Sequence, residues 1–124
     1  MVCAAGMAVL EEIETKKLVD GTEQKGRQFF KILDEIKNNH PDKISYILGK
    51  GLVGAMIFKN SPKIKNLNIF VSKVCEEAMR RGVLVVHTGR ESIKLGPPLT
   101  ISIEAIEEGL QVLNECISIV ENTV

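Results

Sequence analysis

The sequence has 124 residues, a length that suits one domain, and its 16 basic and 16 acidic side chains leave no excess charge to bind nucleic acid. It has no tryptophan and one tyrosine, too few aromatics to stack bases, and no apolar run reaches the roughly 20 residues of a membrane span. Its three cysteines are scattered along the sequence, which is typical of proteins in a reducing compartment. Together these features predict a soluble, cytoplasmic domain without nucleic acid or membrane as partner.

Two helices are predicted at the start of the chain. Residues 2–15 are rich in alanine, leucine, methionine and glutamate, which are strong helix formers. Their apolar start lacks a basic segment before it, so we interpret it as a helix and not as a signal peptide. Apolar residues then recur three or four apart from about residue 18 to 39, at Gly26, Phe29, Leu33 and Ile36. We expect residues 1–40 to lead into a body formed by residues 44–124.

The body alternates between strand and helix patterns. Residues 44–58 favour strands with a bend at the glycines, and residues 67–78 form an amphipathic helix that ends before Gly82. A short buried strand over 83–88 and a second strand, "SIKL", are predicted to form a hairpin. Ser102 is a plausible N-cap for a last helix with one apolar stripe, Ile106, Leu110, Leu113, Ile117 and Val120. This order predicts an α+β fold with helices on one face of a small, mainly antiparallel sheet.

The stretch "GKGLVG" matches the G-x-G-x-x-G pattern of dinucleotide-binding sites at Gly49, Gly51 and Gly54. In such sites a helix follows at once, so that its N-terminus faces the phosphates. Here the apolar strand "AMIF" follows instead. We therefore interpret the glycines as a strand bend where backbones approach closely, and we predict no nucleotide or other cofactor on these residues.

No set of residues has the spacing of a metal or nucleophile site. His40 and His87 lack the cysteine or acidic partners of a zinc pattern. Cys75 and Cys116 lie on or beside apolar helix faces, which favours inert core thiols over catalytic ones. We predict neither a catalytic residue nor a metal ligand in this chain.

Lys94 is the remaining candidate for a functional residue. Ile93 and Leu95 share one face of the predicted strand "SIKL", so Lys94 points to the other face, and Pro97 and Pro98 follow. One interpretation is a lysine on the solvent side of an edge strand, where it discourages aggregation. The other is a cation facing a cleft beside a rigid corner, ready to meet an anion.

Three stretches together resemble the C-terminal small domain of class III pyridoxal-phosphate-dependent aminotransferases, the ornithine, 4-aminobutyrate and omega-amino acid group. "CAAGMAVLEEIE" resembles the long helix that enters that domain. "GKGLVGAMIF" resembles its glycine-rich strand. "RRGVLVVHTGRESIKLGPPLTIS" resembles its hairpin, double proline and last helix. The three stretches occur in the family's order and cover nearly the whole chain.

The resemblance implies the small domain of a fold-type I aminotransferase and assigns substrate binding to Lys94. The family commonly has an arginine there that grips a substrate carboxylate, and it usually has another arginine where Leu48 stands. Pyridoxal phosphate would be held by a preceding large domain, so this chain alone is expected to be inactive and not to bind it. The implied partners are that large domain, a second subunit, an amino donor and a 2-oxo acid.

Two other classes of function are open at this stage, and the simpler of them is a structural interaction domain with no ligand. The pattern of strand, helix, hairpin and helix after residue 44 is also compatible with a small ferredoxin-like regulatory module that binds an amino acid. The two N-terminal helices argue against it, because that fold does not need them.

Overall fold

The computed structural model describes residues 1–121, so residues 122–124 of the predicted body lie outside the described residues. Within that range the chain forms four helices and four strands. In chain order they are α1 (Val2–Thr15), α2 (Leu18–Asn39), β1 (Ile44–Lys50), β2 (Val53–Phe58), α3 (Leu67–Arg80), β3 (Val86–His87), β4 (Ser92–Leu95) and α4 (Ile103–Glu121).

The four strands form one sheet in the order β1-β2-β4-β3, with all neighbours antiparallel. The predicted α+β class is therefore confirmed. The chain passes from β1 directly into β2 through a tight turn. A ferredoxin-like fold places a helix between its first two strands, so the topology of the regulatory alternative does not match.

Helices cover one face of this sheet and build the core with it. The stripe predicted on α2, from Gly26 to Ile36, is buried as expected, and so is the stripe predicted on α4. On α3 the predicted face is buried except at its first residue, Leu67, which is half-buried. The sheet contributes buried side chains from alternate positions of β2 and β4, Met56, Phe58, Ile93 and Leu95.

The glycine-rich motif forms the turn between β1 and β2. Gly51 has a positive φ of 61°, a conformation that few side chains tolerate. The turn lies against α2 so closely that a Cβ atom on Gly26 would stand 2.7 Å from the carbonyl oxygen of Gly51. Gly54 is equally crowded, since a Cβ atom there would lie 2.9 Å from the Phe29 ring. The predicted strand bend with close backbone approach is confirmed.

The predicted strand over residues 83–88 is wrong in length and in burial. Only Val86 and His87 pair with β4, and Leu84 is 82% exposed. The reason lies in the partner strand, because extending the ladder backwards would bring this segment opposite Gly96 and Pro97. Proline has no N–H to donate, and the chain turns away from the sheet there.

α1 has the predicted bounds but buries none of its residues. Within residues 1–121, nothing lies within 4 Å of the position that a Cβ atom on Gly6 would take. None of the helices described for those residues has both the length and the apolar character that crossing a membrane requires.

Candidate functional site

Lys94 lies on an inner strand of the sheet. β4 pairs with β2 on one side and with β3 on the other, so the interpretation of Lys94 as an edge-strand residue is wrong. The alternation predicted for "SIKL" is confirmed, because Ile93 and Leu95 are buried in the core while Lys94 is exposed. The Lys94 side chain therefore stands on the sheet face opposite the helices.

The register of the sheet places four outward residues in one row. Leu48 pairs with Ala55, Ala55 with Lys94, and Lys94 with Val86, one residue from each strand. Leu48 and Lys94 are two strands apart, or about 9.5 Å at the usual strand spacing. The two positions at which the family resemblance implies arginine thus share one row, with lysine at one and leucine at the other.

The surroundings of Lys94 on this face are mostly apolar. We define the open sheet face as the outward residues of the four strands, namely Tyr46, Leu48, Lys50, Val53, Ala55, Ile57, Val86, Ser92 and Lys94 itself. Tyr46, Val53 and Val86 are each more than half exposed. Within residues 1–121, no carboxylate forms an ion pair with Lys94. A cation so placed attracts an anion more strongly once the face is covered, because covering it lowers the local dielectric constant.

A rigid segment follows β4. We call residues 96–100 the proline corner, since they carry Pro97 and Pro98 between β4 and α4. A cavity of about 320 Å³ lies beneath it and is lined mainly by apolar residues of the corner, of the segment 83–85 and of α4. Ser102 caps α4 as predicted, with its Oγ accepting a hydrogen bond from the Ala105 N–H at 3.1 Å.

The corner is joined to α2 by a residue that the sequence analysis missed. The Lys25 Nζ donates to the carbonyl oxygen of Leu99 at 2.9 Å. A signal for it exists in the sequence, because Lys25, Phe29 and Leu33 follow one another at intervals of four. That spacing puts a lysine in line with two core residues on the same side of the helix.

The histidines and cysteines do not come together as a catalytic pair within the described residues. The His40 Nε2 lies 3.0 Å from the Asn114 Oδ1, and the His87 Nδ1 lies 3.0 Å from the Ser72 Oγ. Cys116 is fully buried. Burial raises the pKa of the half-buried Cys75 thiol to about 11. No group of three or more potential ligands in residues 1–121 is arranged to hold a metal ion.

Lys43 is the buried lysine of the described chain and is held by carboxylates. Its Nζ lies 3.1 Å from the Asp42 Oδ1 and 3.0 Å from the Glu121 Oε2, which joins the start of β1 to the end of α4. Glu121 also pairs with Lys63 at 2.9 Å. The pKa of Glu121 lies below its ordinary value. The largest cause is the hydrogen bond that Glu121 accepts from Lys63, and the next is the one from Lys43.

Comparison with known proteins places this arrangement in a family. The family model described as "Aminotransferase class-III" matches residues 1–117. The chain belongs to the class III aminotransferase family. Among curated members, a mitochondrial acetylornithine aminotransferase of Candida glabrata is 34% identical over 116 residues, 94% of this chain and 25% of the relative. An acetylornithine aminotransferase of Prochlorococcus marinus is 34% identical over 114 residues, 92% of this chain and 26% of the relative.

Solved structures of class III aminotransferase relatives share the fold. The acetylornithine aminotransferase of Elizabethkingia anophelis superposes with a TM-score of 0.80 at 26% identity, over 94% of this chain and 28% of that one. The chain therefore spans about a quarter of the length of the relatives it matches.

Proposed function

We propose that this chain is the C-terminal small domain of a longer class III aminotransferase. That enzyme would transfer an amino group between an amino acid or amine and a 2-oxo acid, with pyridoxal phosphate supplying the chemistry when bound. The family match over residues 1–117 and the quarter-length coverage of the relatives support this proposal. We propose residues 1–124 as a single domain, in which residues 1–40 lead into the body of residues 44–124.

Lys94 is the observation that carries the functional proposal. Its charge stands on an inner strand, in the middle of the open sheet face, without a carboxylate from the described residues. We assign it the role of holding a substrate carboxylate. Lysine offers a point charge and not the two-pronged guanidinium of arginine, so the carboxylate is held by attraction and one hydrogen bond at a time. Such a charge-assisted bond contributes about 1.5–3 kcal/mol.

The described residues do not fit a complete pyridoxal phosphate site. Such a site needs a lysine amine that forms an imine and an acidic or basic partner for the pyridine nitrogen. Lys43, the buried lysine of residues 1–121, is held by two carboxylates at the far end of β1. Lys94 has neither a carboxylate nor another cation beside it in its row. We therefore propose that the cofactor is bound outside this chain and that the isolated chain is inactive.

Two apolar surfaces suit the partners that this proposal needs. The open sheet face suits the large domain, because a cleft between the two would enclose Lys94 and a substrate. α1 suits the large domain or a second subunit, because it buries nothing here while Val2, Met7, Val9 and Leu10 are more than half exposed. We retain the cytoplasm as the proposed location, although some relatives are named as mitochondrial.

The decisive experiment removes the charge of Lys94 in the full-length protein that carries this chain. Lys94→Ala should lower kcat/KM for a carboxylate-bearing amino donor by about tenfold or more, since about 1.4 kcal/mol corresponds to tenfold. Lys94→Arg should retain most of the activity, because it keeps the charge. Steady-state kinetics with purified holoenzyme give these values.

Lys50→Ala is the matched control. Lys50 is two positions from Leu48 on β1, so it has the same outward register at the edge of the sheet, and its loss removes the same charge. We expect less than a twofold change. If Lys94→Ala lowers thermal stability but leaves the kinetics unchanged, Lys94 is only a strand residue and the assignment is wrong.

A second experiment tests the location of the cofactor site. We expect the isolated 124-residue chain to form no stoichiometric imine with excess pyridoxal phosphate, because no described residue set fits the site. Borohydride reduction followed by peptide mapping measures this. One dominant reduced lysine at stoichiometric yield would overturn the proposal, whereas scattered low-level labelling of surface lysines would not.

A further inference from the structure

Lys25 forms an unusual contact for a lysine on a helix. Its Nζ donates to the Leu99 carbonyl oxygen at 2.9 Å, across 74 positions of sequence, and the bond is partly buried. No carboxylate within residues 1–121 pairs with this ammonium. Bonds from a charged donor are stronger than neutral ones. Among residues 1–121, the hydrogen bond described for the Lys25 ammonium is thus the one to Leu99 in the proline corner.

The proline corner has few bonds of its own to hold it. Pro97 and Pro98 carry no N–H, and the ladder between β2 and β4 ends at the pair of Gly54 and Leu95. Within and just after the corner, the Ile101 N–H donates to the Pro98 carbonyl oxygen at 3.0 Å. That bond sets the local turn, the partly buried Leu99 side chain packs against the core, and Lys25 adds a hydrogen bond from α2 to the corner.

A second contact joins α2 to the helix that follows the corner. The Gln28 Nε2 on α2 donates to the Glu107 Oε1 on α4 at 3.0 Å, one turn beyond Lys25 and just after the corner. Gln28 and Glu107 hold the first turns of α4, while Lys25 holds the corner itself. Because this outer contact is between exposed side chains, it is the weaker of the two.

We propose that Lys25 is a positioning residue that fixes the proline corner beside Lys94. This inference rests on the proposed function, since it requires that Lys94 holds a substrate carboxylate. The corner begins two residues after Lys94, about 7 Å along the strand at the usual rise, so it starts close to that lysine. A displacement of about 1 Å near a bound substrate can cost a large factor in rate. Lys25 therefore acts on the substrate through the Leu99 carbonyl and does not touch it.

The test compares Lys25 variants in the full-length holoenzyme. Lys25→Met should lower kcat/KM for a carboxylate-bearing amino donor about tenfold, mainly through a higher KM. Lys25→Arg keeps a charged donor and should stay within about threefold of the wild type. Lys31→Met removes an exposed lysine from the same helix and should change kcat/KM less than twofold.

Two further readouts separate positioning from general stability. The effect of Lys25→Met should shrink to less than twofold in a Lys94→Ala background, because no held carboxylate is then left to misalign. Hydrogen exchange of the Ile101 amide should become about tenfold faster in Lys25→Met and remain unchanged in Lys31→Met. Where Lys25→Met does not fold, Lys25→Gln, one atom shorter, replaces it with the same expectation.

The outcomes distinguish the two proposals. If Lys94→Ala leaves the kinetics unchanged, the proposed function fails and this inference fails with it. If Lys94→Ala is impaired while Lys25→Met equals Lys31→Met, only the positioning role is wrong. The positioning role is also wrong if the effects of Lys25→Met and Lys94→Ala multiply independently, because Lys25 then supports stability and not the site.

Discussion

The contact between α2 and the β1–β2 turn predicts opposite effects for one substitution at two glycines. Gly21 and Gly26 both lie in α2, where alanine is favoured over glycine by about 0.5–1 kcal/mol. Nothing lies within 4 Å of a Cβ atom on Gly21. A Cβ atom on Gly26 would meet the Gly51 backbone, with the carbonyl oxygen at 2.7 Å and two carbons at 3.0 Å.

The magnitudes follow from these distances. Gly21→Ala should gain the helical preference alone, so its free energy of unfolding should rise by about 0.5–1 kcal/mol. Gly26→Ala gains the same preference, but its Cβ atom pushes the backbone of α2 away from the backbone at Gly51. Neither side can relieve this contact by turning a side chain. Overpacking of that kind costs about 1–3 kcal/mol, which leaves a net loss of up to about 2.5 kcal/mol and of about 1 kcal/mol at the middle of both ranges. The two variants should therefore differ by about 2 kcal/mol.

Urea unfolding of the 124-residue chain and its two variants measures this difference. With a slope of about 2 kcal/mol per molar urea, the two midpoints should lie about 1 M apart on opposite sides of the wild type. The slopes should agree, since a changed slope would signal a different unfolded state or an intermediate. If Gly26→Ala is as stable as Gly21→Ala, the close approach of α2 to the turn is wrong.

Three other predictions concern thiols, acid stability and association. At pH 8 a thiol reagent should label the exposed Cys3 quickly and Cys75 slowly, because burial raises the pKa of Cys75 to about 11; equal rates would contradict this. The hydrogen bond from Lys63 is the main cause of the lowered pKa of Glu121. The stability that this carboxylate contributes is therefore fully present above the ordinary carboxyl pKa and is lost as pH falls through the lowered value. In Glu121→Gln the urea midpoint should fall less steeply with pH below about pH 4.5 than in the wild type. An unchanged pH profile would exclude the ion pairs of Glu121 as the source of the acid sensitivity. Deleting residues 1–16 should make the 124-residue chain more monomeric in light scattering, because α1 leaves its apolar residues exposed; a monomeric full chain would refute this.

The helices could be predicted from the sequence because their pattern is local. The spacing of Gly26, Phe29, Leu33 and Ile36 defines one face of α2, and those residues are the buried ones. The stripe of α4 was predictable for the same reason. The bend at Gly51 was also predictable, because glycine marks places where the backbone takes conformations that side chains oppose.

The strand order could not be obtained in this way. Lys94 pairs with Ala55, 39 positions earlier, and nothing in the "SIKL" pattern says that β4 inserts between β2 and β3. The sequence therefore left Lys94 compatible with an edge strand as well. The prediction of a strand over residues 83–88 failed for a related reason, since the β-branched residues there favour a strand while Gly96 and Pro97 stand where the partner strand would continue. The bond from Lys25 to Leu99 is also long-range, and only the interval of four indicated it.

Lys94 constrains whatever covers the open sheet face. Tyr46, Leu48 and Val86 favour burial against an apolar surface, but burying an ammonium without a partner is costly. The covering surface has to bring its own carboxylate to Lys94 or leave a cleft that admits one from a small molecule. Because both arrangements satisfy the charge, the exposed apolar residues alone do not distinguish an interdomain ion pair from a substrate site.

The two arrangements differ in how the full-length enzyme would respond to Lys94→Ala. If the carboxylate belongs to the covering domain, the variant loses stability and the kinetics with all amino donors change alike. If it belongs to the substrate, stability hardly changes, and kcat/KM falls for a donor with a carboxylate but not for a simple amine. We expect the second result, because a lysine on an inner strand is held in place by ladders on both sides before any substrate arrives. An equal loss with both donors would assign Lys94 to the domain interface.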